Sequence, residues 1–168
     1  MDVPDPRLAF DPVAEAERNW RDHGWPAPDA MAAVTSITRA HQILLRQVDA
    51  ALQPLDLTFA RYEALVLLHF SREGALPLGK MGARLQVHPA SVTNAVDRLE
   101  AAGYVERAAH PTDGRTTLAR ITADGRAVVE QATAALGAIR FGALGLDDEA
   151  ARRVTGELAA MRAAAGDF

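Results

Sequence analysis

From position 88 to position 94 the chain reads His88-Pro-Ala-Ser-Val-Thr-Asn. His88, Ser91, Thr93 and Asn94 carry hydrogen-bond donors and acceptors on short stems, and Pro89 and Ala90 leave the backbone beside them uncrowded. None of these groups attacks or abstracts a proton without an activating partner. Unaided, they can match a flat array of donors, acceptors and methyl groups, which is what a base pair presents in the major groove. Arg98 follows on the same segment, suited either to a phosphate or to an acid on its own helix. Further on, Asp113 and Arg115 flank Gly114. The arginine reads as a solvated turn residue or as a probe of a narrow minor groove; the aspartate reads as a turn former or as its rigidifying partner. Ser91, Thr93 and Asn94 also fit an ordinary solvated helix face with a capping serine, so the elements around them have to decide.

Other chemistries find no residues. The chain lacks Gly-x-Gly-x-x-Gly, a phosphate-cradling Gly-Lys-Ser/Thr loop, His-Glu-x-x-His and Gly-x-Ser-x-Gly. Its histidines, at 23, 41, 69, 88 and 110, lack the spacing of paired ligands on one helix, so no metal site is expected. With no cysteine there is no thiolate nucleophile, no disulfide framework and no Cys-ligated zinc. Glu15 with Glu17, and the acids 147–149, sit at helix starts, where they favour the macrodipole. No cofactor and no enzymatic activity is expected.

The elements that must position residues 88–94 follow from periodicity and punctuation. Asp11-Pro12 starts a first helix to about His23. Asp29 is expected to cap a second one to about Gln53, with Met31, Val34, Ile37, Ala40, Ile43 or Leu44, and Val48 recurring along one face. Thr58 caps a third, in which Phe59, Tyr62, Leu65, Val66 and Phe70 are expected to point inward, and Gly74 stops it. Pro77 opens a brief helix to Leu85, residues 86–88 turn, and a helix over 89–102 ends at Gly103. That last helix is roughly 21 Å long and fits a major groove. Val92, Val96 and Leu99 would hold it down from behind.

After Gly103 the period changes to two. Residues 104–107 and 116–122 read as strands, and Asp113-Gly114 suggests a tight two-residue hairpin turn. Thr122 then caps a long helix to about 144, and a last helix follows the acids at 147–149 to about Ala164. The fold class expected is mainly α with a small β-hairpin wing. The segments expected are an N-terminal extension helix over 1–28, a long helix over 29–57, a winged helix-turn-helix region over 58–122, and C-terminal helices over 123–168.

Composition bounds the partners. At 168 residues and 49% hydrophobic content the chain suits one globular unit with terminal extensions. Its apolar runs fall short of the ~20 residues a membrane span needs, and the acidic N-terminus does not read as a secretory signal, so a cytoplasmic protein is expected. The net charge of −4 opposes bulk coating of nucleic acid. Residues 84–126 nevertheless hold six arginines against five acids, which permits binding through a few placed cations.

The run Ser91-Val-Thr-Asn-Ala-Val-Asp-Arg-Leu-Glu-Ala-Ala-Gly-Tyr-Val-Glu-Arg, then His110-Pro-Thr-Asp-Gly-Arg and Leu118-Ala-Arg-Ile-Thr-Ala-Asp-Gly, resembles the MarR family of bacterial regulators from about residue 30 to the end. The resemblance implies a dimer interlocked through its N- and C-terminal helices, two winged lobes on duplex DNA, and a ligand-responsive cleft. The N-terminal helix with Trp20 is similar to a urate-responsive subgroup, which implies a ligand site of Trp20, Glu63 and Arg107. Ala95 stands where that subgroup carries a second arginine, which points to another small anionic or aromatic effector. Trp20 reads equally as dimer packing, and His41, His69 and Glu63 read also as structural residues. The function expected is a homodimeric, sequence-specific repressor, released from a pseudo-palindromic operator by that effector.

Overall fold

The computed structural model describes residues 8–110, 112–113, 116–143 and 145–168. They fall into two compact units, one ending at Leu45 and one running from Arg46 to Phe168.

In the first unit, α1 (Pro12–Asp22) starts where Asp11 accepts a hydrogen bond from the Val13 N–H, with proline at the first helical position. The Trp20 indole donates to the Pro26 carbonyl at 2.9 Å, and its ring meets Trp25 edge-on at 4.7 Å. Arg21 bridges Glu17 and Asp29 at 2.7 and 2.5 Å. The second helix, α2 (Pro28–Leu52), begins two residues earlier than a helix capped by Asp29 would, because Pro28 itself enters the first turn. Asp29 therefore pairs with Arg21 inside that turn and is not the cap.

The second unit begins within α2, whose Val48 and Leu52 are buried. A 3-10 turn over Gln53–Leu55 absorbs Pro54, and Asp56 in the left-handed region redirects the chain. Thr58 caps α3 (Phe59–His69), and the Phe59 N–H donates to Asp49 at 2.7 Å. The inward stripe of α3 corrects the expected one. Ala64, Leu65 and Leu68 are buried with Tyr62 at their margin, which turns Phe70, at the helix end, outward to 80% exposure.

A short strand not foreseen, β1 (Ala75–Pro77), precedes α4 (Leu78–Leu85) and α5 (Pro89–Ala101). Then come β2 (Val105–Ala109) and β3 (Thr117–Ile121), in an antiparallel sheet of order β1-β3-β2. The last paired residues are Ala109 and Thr117, and Gly114, on which the expected two-residue turn falls, lies outside the described residues. Thr116 donates from its N–H and hydroxyl to the Asp113 carbonyl and carboxylate at 3.0 and 2.7 Å. The helix after the hairpin, α6 (Ala123–Ala138), also ends before its expected limit. Arg140 and Phe141 take left-handed angles in a 3-10 turn, and Arg140 ties that break to Asp148 at 2.8 Å. The final helix, α7 (Asp148–Ala164), is capped by Asp147.

Leu65, Leu68, Met81, Val96, Leu99, Val105, Ile121, Val129 and Leu136 form the core of the second unit. It fixes α5 from behind through Val92, Val96 and Leu99, as their spacing predicts.

Candidate nucleic-acid interface

The approach to α5 is a tight turn. Gln86 adopts a left-handed conformation, and the Val87 N–H returns to the Gly82 carbonyl at 3.1 Å. His88 is the N-cap: its Nδ1 accepts from the Ala90 N–H at 3.2 Å. Capping thus falls to the histidine, and Ser91 is left with its side chain outward. His88, Pro89, Ala90, Ser91, Thr93, Asn94 and Arg98 are all exposed, opposite the buried valines and leucine.

The exposed residues divide between two flanks. Ala90, Ser91, Asn94 and Arg98 line an open cleft of about 900 Å³ together with Ala95 and with Thr58, Ala60 and Arg61 from the start of α3. Pro89 and Thr93 border a second recess, beside Gly82 and Val87, and the Thr93 hydroxyl donates to the Pro89 carbonyl at 3.1 Å. Thr58 and Arg61 were not among the residues singled out from the sequence. The available signal was a capping threonine with an arginine three residues on, a polar helix start able to meet an anion.

At the wing, Asp113 and Thr116 brace the tip as described, and the His110 N–H donates to the Thr116 carbonyl at 3.2 Å. Arg115 lies outside the described residues. Arg120, in the central strand, reaches the Glu73 carbonyl and faces Glu106 at 3.7 Å.

The three residues expected at an effector each have a definite setting. Trp20, in the first unit, spends its only polar hydrogen on Pro26. Arg107, on β2, pairs with Asp97 at 2.5 Å and with Glu100, both on α5, while its backbone N–H donates to Glu100 at 3.2 Å. These carboxylates raise the guanidinium pKa, Asp97 foremost, so the charge on Arg107 is permanent. Glu63 occupies an exposed position of α3, yet desolvation lifts its carboxyl above the ordinary 4.5.

A separate cleft of about 470 Å³ opens between α3 and α6, lined by Tyr62, Val66 and His69 on one side and Val129, Glu130 and Thr133 on the other. Tyr62 and Thr133 hydroxyls meet across it at 3.0 Å. The buried His69 Nδ1 has no hydrogen-bond partner among the described residues.

A helix, a tight turn, a second helix with an exposed polar face and a hairpin on a three-stranded sheet define a winged helix-turn-helix domain. Residues 55–116 match the family model described as MarR family. The chain is 55% identical to a MarR family transcriptional regulator from Streptomyces coelicolor of known crystal structure, over 83% of this chain and 97% of that one, with a TM-score of 0.77. It is 34% identical to an HTH-type transcriptional repressor of Mycobacterium tuberculosis, over 57% of this chain and 68% of the relative. The crystal structure of CouR from Rhodococcus jostii, bound to p-coumaroyl-CoA, is 27% identical over 74% of this chain and 87% of that one, with a TM-score of 0.65. The chain belongs to the MarR family of transcriptional regulators. Among the described residues no helix is long and apolar enough to cross a membrane.

Proposed function

We propose that the chain is a homodimeric, sequence-specific repressor whose α5 enters the major groove of a pseudo-palindromic operator. The observation that carries this is the two-sidedness of α5: Val92, Val96 and Leu99 are buried while Ser91, Thr93 and Asn94 are exposed on the side that would meet base edges. Ala90 and Pro89 let the backbone come close, His88 fixes the helix start, and Arg98 and Arg61 supply phosphate contacts that set register. Arg115 extends the footprint into the adjacent minor groove, on a wing tip held by Asp113. A two-fold dimer with its α5 helices about 34–36 Å apart reaches successive major grooves on one face of the duplex.

The test is a gel shift at several salt concentrations with the intergenic duplex beside its own gene, in competition with random duplex. Preference of about a thousandfold or more over random sequence is expected. Asn94→Ala should lose about 1–3 kcal/mol of that discrimination. Equal affinity for every duplex defeats the reading. Arg115→Ala should weaken binding, most on duplexes with A·T-rich steps beside the half-site; unchanged affinity at several salt concentrations would count against the wing contact.

An aromatic effector in the α3–α6 cleft would relieve repression by favouring a dimer with its α5 helices wrongly spaced, in proportion to its differential affinity for the two arrangements. The largely apolar lining beside Glu130, the Tyr62 and Thr133 hydroxyls and the His69 Nδ1, which lacks a partner among the described residues, support a ligand with an aromatic body and a polar end. CouR, which binds p-coumaroyl-CoA, supports the same class. Glu63 stays in the proposed effector set as the desolvated acid of α3, whereas Trp20 and Arg107 already hold partners. Release of the operator by p-coumaroyl-CoA, lost in His69→Ala with DNA affinity intact, is the expected result.

A further inference from the structure

The reading helix carries acids where a DNA-binding surface and a helix both disfavour them. Asp97 and Glu100 follow Thr93 at four- and seven-residue steps, so all three share one flank of α5. Both acids also lie in its last turns, where the macrodipole opposes negative charge. Their carboxylates remain 56% and 40% exposed, so water does not hide them from an approaching phosphate.

We propose that Arg107 acts as a positioning and charge-offsetting residue for operator binding: it draws the Asp97 and Glu100 carboxylates onto β2 and offsets one of their two negative charges before the polyanion arrives. The inference rests on α5 being the DNA-reading helix. The geometry is specific. One guanidinium nitrogen takes Asp97, another takes Glu100, and the Arg107 backbone N–H adds a third bond to Glu100. Holding both acids at once uses the forked guanidinium, which a lysine ammonium matches poorly. Folding stability does not account for the arrangement, because ion pairs this exposed contribute little to it. Against a duplex, two uncompensated carboxylates beside Thr93 repel the backbone that Arg98 and Arg61 attract.

The experiment uses the full chain and a duplex selected by the wild-type protein from a random pool. Arg107→Gln should bind that duplex about tenfold more weakly at low salt, with the deficit shrinking as salt screens the exposed acids. Adding Asp97→Asn and Glu100→Gln to Arg107→Gln should return affinity at least to that of wild type, since the repulsion has gone with its source. Arg107→Lys should fall between. Urea midpoints of all variants should agree closely with wild type, which separates binding from folding. A triple variant as weak as Arg107→Gln, or a deficit that salt leaves unchanged, overturns the proposal and identifies Arg107 as a plain tether. A wild-type chain that enriches no duplex from the pool instead overturns the DNA-binding reading on which this one stands.

Discussion

Gly125, in the first turn of α6, shows how one missing methyl group fixes the base of the wing. A Cβ there would stand 2.1 Å from the Tyr104 carbonyl oxygen and 2.8 Å from Ile121. The Thr122 N–H and hydroxyl donate to the Tyr104 and Gly103 carbonyls at 3.0 and 2.8 Å, and the Gly125 N–H returns to that hydroxyl. The close approach thus locks the start of β2 to the end of β3. Gly125→Ala should destabilise the fold by about 1–3 kcal/mol or more, read from urea unfolding, because backbone on both sides has to part. An unchanged midpoint would show that this junction gives freely. Glu63 makes the opposite kind of case. Its carboxyl is raised above 4.5 by desolvation, so the folded chain holds that proton more tightly than the unfolded one. The ionised group therefore destabilises the fold at neutral pH, and the penalty fades as pH falls through the folded pKa to below 4.5. Glu63→Gln should melt higher than wild type at neutral pH and equal to it in acid; a gain that persists in acid would assign the effect to something other than ionisation.

Among the elements, the start of α3 and the face of α5 act as one surface. Arg61 and Thr58 border the cleft that holds Ser91 and Asn94, which puts a cation and a helix N-terminus beside the face of α5 proposed to read bases. Arg61→Ala should weaken DNA binding evenly across sequences and lower the salt slope by about one phosphate, measured by titration from low to high salt. A loss confined to one base position would make Arg61 a base reader. Nothing near Arg61 in the chain announces this, because Ser91 and Asn94 meet it only after α3 packs on α5. The face of α5 itself was legible, since three apolar residues at helical steps leave only one side for Ser91 and Asn94. Phe70 was misplaced for a related reason. The run 62–70 is apolar nearly all round, so period alone could not choose its buried stripe, and packing chose Ala64, Leu65 and Leu68. The strand Ala75–Pro77 is too short to show alternation and exists by pairing with β3, far along the chain. The break after Ala138 depends on left-handed angles at Arg140 and Phe141, residue types that do not advertise them. Trp20 and Arg107 carried the right chemistry for an anionic ligand, but local partners within reach, Pro26 and the acids of α5, were invisible without the fold.

At the scale of the whole molecule, the apolar residues left uncovered within one chain carry the argument. On α2, Val34, Ile37 and Ile43 are 59%, 37% and 40% exposed, although with Ala40 they recur at three-residue steps that mark a face made for burial. On α7, no residue is buried at all, and Val154 and Met161 stand 44% and 49% exposed. Helices of this composition gain their stability from packing, so a second copy of the chain is the natural cover for both, and two-fold symmetry makes one surface sufficient. On the proposed two-half-site operator such a dimer would double the DNA contacts, because the second half-site binds at the high effective concentration set by the first. Val34→Glu combined with Ile37→Glu should therefore convert the protein to a monomer in sedimentation velocity, with its helical circular dichroism largely kept in the second unit. The same variant should bind a two-half-site duplex on the order of a hundredfold more weakly, yet bind a single half-site about as well as wild type does. A variant that sediments as a dimer would remove the α2 face from the interface. A monomer that still held both half-sites with full affinity would separate pairing from operator recognition altogether.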